Sequence, residues 1–431
     1  HIRTRNTCRS SNHSVTDRRP MPEAPQSTSA TSHRFGVLRH RNFALFWFSL
    51  VFSHSGTWMQ LTIVGWLVFD MTNSPAWLGV VGASRAAPMI VLPFFGGVIA
   101  DRMDRRLLLW ITQSGQALLS LTLALLVAMD LILVWHIIVV MCLGAVVEAV
   151  DQPTRQAIVP SLVPRIDLRK AIALHAVVFS GGALVGPAIA GLLAPAVGLA
   201  TVLFINVASF VPVFIALPLL HLPRFEPRQH EPILKSVRDG LRFAFTRELI
   251  VVEILVSAVG SLFGRSYQLL APVFARDVLL TDITGLGWLA SAPGLGAVLG
   301  AFAIASARWL PANGRLAGFS VAGYLLALVG FAISNNFGLS VLLLVLVGLL
   351  NTVFSAAVRT MLQLEAPEQY YGRVMSLNTI TFIGLAPLGS LIIGSIAELA
   401  GIQLATLIGA AVVATVFAFA WLTQPTLRHA T

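Results

Sequence analysis

The chain has 431 residues, 56% hydrophobic and only 11% charged, whereas soluble domains carry about 25% charged residues. So few charges cannot cover a soluble surface, a disordered chain needs the opposite balance, and two cysteines, Cys8 and Cys142, are too few for a disulfide scaffold or a cysteine-built metal centre. The net charge of +10 then belongs to the basic loops of a polytopic membrane protein, not to a nucleic-acid footprint clustered on one face.

Residues 1–41 form a polar tail rich in Arg, Ser and Thr, with Asp17 and Glu23 as its acids. Met21 and the following Pro-Glu-Ala-Pro read as the start of translation, with residues 1–20 upstream of it; the intact mass of natively expressed protein tests this. The first apolar segment is too long for a secretory signal peptide, and no small-residue cleavage site follows it. Twelve segments then approach the about 20 apolar residues that a helix needs to cross a bilayer. They lie at 42–69, 76–100, 107–129, 132–150, 171–194, 199–220, 248–274, 284–305, 316–333, 338–358, 374–397 and 402–422. Turn residues such as Asn73-Ser74-Pro75, Pro311-Ala312-Asn313-Gly314 and Asn335-Asn336 separate them. Their continuous apolar runs make helices; barrel strands would alternate over about 10 residues. The expected fold is all-α and integral to the membrane.

Orientation follows from Arg and Lys. With the N-terminus inside, the loops after spans 2, 4, 6, 8 and 10 and both tails hold all the basic residues except three. Arg276 sits in an outer loop, and Arg85 and Arg265 lie within spans. The polar stretch 221–247 divides the chain into halves at 42–220 and 248–422, with a short tail at 423–431. The halves echo each other at a shift of about 203–208 residues. Arg41 matches Arg247, Leu78-Gly79 matches Leu286-Gly287, and Ala87-Pro88 matches Ala292-Pro293. Gly97 matches Gly300, Arg155 matches Arg359, and Arg169 matches Arg373. Both copies start on the same side, so the repeat is parallel, and a substrate site is expected between the halves near mid-membrane.

Residues 97–106 read Gly-Val-Ile-Ala-Asp-Arg-Met-Asp-Arg-Arg. Gly97, Asp101 and Arg105 recur every four residues and share one helical face. Spacing alone leaves two readings open: a cytoplasmic gate, or a solvated Asp–Arg pair worth about 0.3–0.5 kcal/mol. The stretch, with Arg102 and Arg106, resembles the loop 2–3 signature G-x-x-x-D-R-x-x-R-R of the major facilitator superfamily. Asp104 stands where that family usually has glycine. The resemblance spans about 42–422 and implies twelve helices in two six-helix halves. It also implies a gate in which Asp101 caps the span starting near Val374 and Arg105 pairs with Glu148 or Asp151. The second-half copy, around Gly300 to Arg315, is degenerate.

In the fifth span, Gly182, Gly186, Pro187 and Gly191 form a smooth, kinkable face. On composition alone generic packing is the better explanation of such a face, but its G-x-x-x-G-P pattern resembles the exporter motif of the superfamily. Asp151-Gln-Pro-Thr-Arg155-Gln and Gly372-Arg373-Val-Met-Ser resemble the branch containing the enterobactin exporter and macrolide efflux proteins.

Ionisable residues within a membrane are costly and are functional candidates by default. Arg85 and Arg265 can meet an anionic substrate or an acid. Glu148 can carry a coupling proton or serve the gate with Arg105, while Glu253, near an inner end, reads as an interfacial or paired group. His54 and His175 titrate near neutral pH in their free form, although a lone intramembrane His is more often a packing residue. Trp58 and Gln60 are candidates for lining the cavity. No G-x-x-x-x-G-K-[ST] loop, H-E-x-x-H or G-x-S-x-G occurs, so neither ATP-driven pumping nor an enzyme is expected, nor any metal or cofactor. The expected function is a monomeric secondary transporter of the cytoplasmic membrane. It would export drug- or siderophore-type molecules by proton-coupled alternating access, with both termini cytoplasmic. An importer or lipid transporter of the same fold, or a non-transporting receptor, remains the alternative.

Overall fold

Inside a bilayer every backbone polar group must find its partner within the protein, and a helix does this locally. The computed structural model describes residues 36–92, 103–221, 245–306, 314–365 and 384–423, with Arg242 and Thr381. The first half runs through α1 (Arg41–Thr72), α2 (Pro75–Ser84, then Ala86–Val91), α3 (Arg105–Ala128) and α4 (Val134–Ile158). It ends with α5 (Leu168–Val197) and α6 (Leu199–Ser209, then Val211–Leu219). The second half holds α7 (from Glu248–Val259), α8 (Ile283–Ser306), α9 (Gly314–Ile333), α10 (Phe337–Glu365), α11 (Ala386–Ala400) and α12 (Ile402–Thr423). Each overlaps one of the twelve expected segments, and parts of the second and eleventh lie outside the described residues. Among the described residues, nine helices are long and apolar enough to cross a membrane, and Ala386–Ala400 is a shorter apolar one.

Of the remaining two, α1 departs for a local reason, and α2 is described only as far as Leu92. Helix α1 has ample length at 32 residues, but Ser49, Ser53, His54, Thr57, Gln60 and Thr62 punctuate it. Helix α2 breaks at Arg85, because Pro88 has no N–H to return to the Ser84 carbonyl. The turn before it follows the sequence: Asn73 closes α1 in the left-handed conformation at φ 51°, and Pro75 opens α2.

Span 7 is not the continuous helix expected over 248–274. After Val259 it passes through a π-helical turn (Gly260–Gly264), a 3-10 turn (Ser266–Gln268), the short helix Ala271–Val273 and a second π-helical turn ending at Val278. Gly260, Gly264 and Pro272 weaken the regular ladder. The displaced carbonyls are satisfied by side chains: Ser266 Oγ donates to Leu262 O at 2.6 Å and the Tyr324 hydroxyl to Gly264 O at 2.6 Å.

The halves meet along two helix pairs, α2 with α11 and α5 with α8. The duplication makes these one contact seen twice, since α2 corresponds to α8 and α5 to α11. Glycines set the approach. A Cβ on Gly79 would lie 2.8 Å from Leu391 Cα, and one on Gly287 would lie 2.7 Å from Gly191 Cα. Gly79 and Gly287 are a matched pair of the sequence repeat. Outward-pointing Leu118, Phe319 and Leu326 are 63–76% exposed, an apolar exterior suited to lipid.

A charged pocket in the first half

Helix α4 carries Glu148, Asp151 and Arg155 at helical spacing, so they share one face. Arg155 Nε approaches Asp151 Oδ2 at 2.5 Å. Thr112 Oγ1 and Gln113 Nε2, both from α3, donate to Asp151 Oδ1 at 2.7 and 2.8 Å. Asp151 is therefore balanced by two hydrogen-bond donors and one guanidinium charge in a buried site. Glu148 is held differently. Its Oε2 accepts from Arg85 Nη2 at 2.8 Å, across to the break in α2, and both side chains keep some exposure.

His54 and Thr57 of α1, Gln116 of α3, Gln152 of α4, His175 of α5 and Phe210 between the two segments of α6 join Glu148, Asp151 and Arg155 around one cavity of about 40 Å³. That volume admits water, whereas drug-sized ligands occupy about 300–1,000 Å³. Phe179, one turn from His175 on α5, sets its ring edge-on to both His54 and Trp58 at 5.9 Å.

Not every candidate residue converges there. Gln60 accepts from Asn206 Nδ2 at 2.7 Å, and Asn206 also reaches Ser120, so Gln60 ties α1 to α6 and α3. Arg265 lies at the break in span 7, near Tyr267 and Tyr324, apart from the residues lining the pocket. Glu253 is buried and partnered. The glycines of the exporter-like motif are packing points. A Cβ on Gly182 would meet His54 and Trp58 at 3.2 Å, one on Gly186 would meet Ser55 O at 2.5 Å, and one on Gly191 would meet Gly287 Cα at 2.8 Å. Pro187 lies buried in the same helix.

Gly97, Asp101 and Arg102 of the gate, and the span start near Val374, lie outside the described residues. The pairing implied for Arg105 is not found. Arg105 Nη1 donates instead to Ala157 O at 2.9 Å, while Glu148 is paired with Arg85 and Asp151 with Thr112, Gln113 and Arg155. Arg106 donates to Leu220 O. Asp104 is the N-cap of α3, accepting from the backbone of Arg106 at 2.8 Å and Leu107 at 3.0 Å. An Asp directly before a helix is a sequence signal for this role. Gln113 and Gln116 were also legible, as polar residues three apart in an apolar run. Phe179 was not, since nothing separates it from lipid-facing aromatics.

The family model described as "Transmembrane secretion effector", of the major facilitator type, matches residues 32–429. The chain belongs to this family. Among its relatives is the staphyloferrin A transporter of Staphylococcus aureus, 27% identical over 80% of this chain and 87% of that one. The multidrug efflux pump Tap of Mycolicibacterium fortuitum is 24% identical over 83% and 89%. The enterobactin exporter EntS of Shigella boydii is 28% identical over 76% and 78%. A bacterial homologue of the lysosomal transporter Spinster, in an inward-facing and unoccupied conformation, superposes with a TM-score of 0.70 at 13% identity, covering 90% of this chain and 98% of that one. The transporter is thus a multi-pass membrane protein of a non-enzymatic family.

Proposed function

We propose that this transporter expels small molecules from the cell by alternating access, in exchange for protons. The observation that carries the proton part is the contrast between two acids on α4. Asp151 is neutralised in place by Thr112, Gln113 and Arg155. Glu148 faces a water-sized cavity and leans on one arginine from another helix. A carboxylate that either a guanidinium or a proton can neutralise is what a proton-driven cycle requires, and Glu148 is that residue. Relatives named for siderophores and for multidrug efflux support a drug- or siderophore-type substrate.

The basic loops support a cytoplasmic Arg-rich end, with both termini inside, in the cytoplasmic membrane. Gly79, Gly191, Gly287 and Gly394 then seal the halves in the outer part of the bilayer, which corresponds to an inward-facing state. One chain holds both halves and works as a monomer within the bilayer.

The test is uptake into inside-out vesicles under an imposed proton gradient, with siderophores, macrolides and dyes added in turn. Uncoupler-sensitive uptake of one of them is expected. With folded protein confirmed, no uptake across the panel would overturn the export reading in favour of import, lipid movement or a receptor.

A further inference from the structure

Arg276 is the one Arg or Lys in the loops at the end opposite the basic loops, so charge placement for topology does not explain it. It belongs to the last turn of span 7, in the second half. Its guanidinium lies 4.1 Å from the centre of the Phe69 ring and 3.8 Å from Asp70 Oδ1, and it donates to Asn73 Oδ1. All three partners belong to the C-terminal turn of α1, in the first half. Asp277 lies beside it at 3.4 Å. Two residues on from Asn73, α2 begins. Glu398, from the last turn of α11 in the second half, accepts there from Ser74 Oγ at 2.6 Å and from the Ala76 N–H at 3.3 Å.

The second half thus sets a cation against the negative end of α1 and an anion against the positive end of α2, the favourable sign at each helix dipole. Immediately below, bare glycine contacts close the same seam: a Cβ on Gly394 would lie 2.7 Å from Pro75 O. Glycine contacts pack without directional bonds, so the polar grip is the part of the seam that breaks discretely. Arg276 and Asp70 are 29% and 62% exposed, and exposed pairs of this kind are weak enough to open.

We propose that Arg276 and Glu398 are the latch that holds this end closed, and that releasing their hold on residues 69–76 opens the site to that side. The proposal rests on the alternating-access reading. Its test is the distance between spin labels at Leu131→Cys and Leu280→Cys, one in each half at this end, in full-length protein with Cys8 and Cys142 replaced by serine. Arg276→Ala and Glu398→Gln should each raise a longer-distance population about fivefold, and Arg276→Lys should partly restore the parent distribution. Gly287→Leu, which wedges α8 from α5 without touching the latch, serves as the reference. If Gly287→Leu opens this end and the latch variants do not, the latch is wrong and alternating access stands. If none of the variants opens it, both fall.

Discussion

Glu148 and Asp151 sit one turn apart on α4 and differ in what surrounds them. Asp151 is locked by two α3 side chains and Arg155, all buried. Asp151→Asn leaves Arg155 as an uncompensated buried charge. It should destabilise the protein by about 3 kcal/mol or more, read as a lower melting temperature in detergent. Glu148→Gln, by contrast, should leave the melting temperature near that of the parent and abolish the part of transport that an uncoupler removes. At the start of α3, Asp104→Ala should cost about 1 kcal/mol, whereas Asp104→Gly, the residue usual in the family, should cost only a few tenths. A circular-dichroism melt of the three proteins separates these outcomes. The sequence offered Glu148 and Asp151 as alternative partners of Arg105, with Asp151 beyond the end of span 4, and could not rank them. The rank depends on Thr112 and Gln113, about 40 residues away, and on Arg85 reaching across from a broken helix.

At the scale of the helix, α5 shows how small residues divide their labour. Gly181 has open space where a side chain would go, while Gly186 faces Ser55 O and Trp58 at contact distance. Gly181→Ala should therefore gain up to about 1 kcal/mol from helix propensity. Gly186→Ala should lose about 1–3 kcal/mol to overpacking, because backbone on α1 has to move; thermal unfolding of both variants checks the sign. The apolar runs made the helical segments readable in outline, since length and hydropathy are local properties. The irregular turns within span 7 were not readable. They depend on partners such as the Tyr324 hydroxyl from α9, which no window along span 7 contains.

For the whole molecule, the most informative signal was the internal repeat. Gly79 and Gly287, matched by position, turned out to be equivalent points of the two seams between the halves. The gate inferred from residues 97–106 was legible only as a motif. In the structure Arg105 bonds to the end of α4 and not to an acid, a contact within the first half. At the opposite end the proposed latch, Arg276 and Glu398, grips residues 69–76 beside the glycine seams. The claim at the centre of the account is that Glu148 exchanges a proton as substrate moves. The most direct test is uptake into inside-out vesicles with an imposed proton gradient, comparing the parent protein with Glu148→Gln, each with and without uncoupler. Uptake should be uncoupler-sensitive in the parent and slow and uncoupler-insensitive in the variant. Full proton-driven uptake by the Glu148→Gln protein would contradict it.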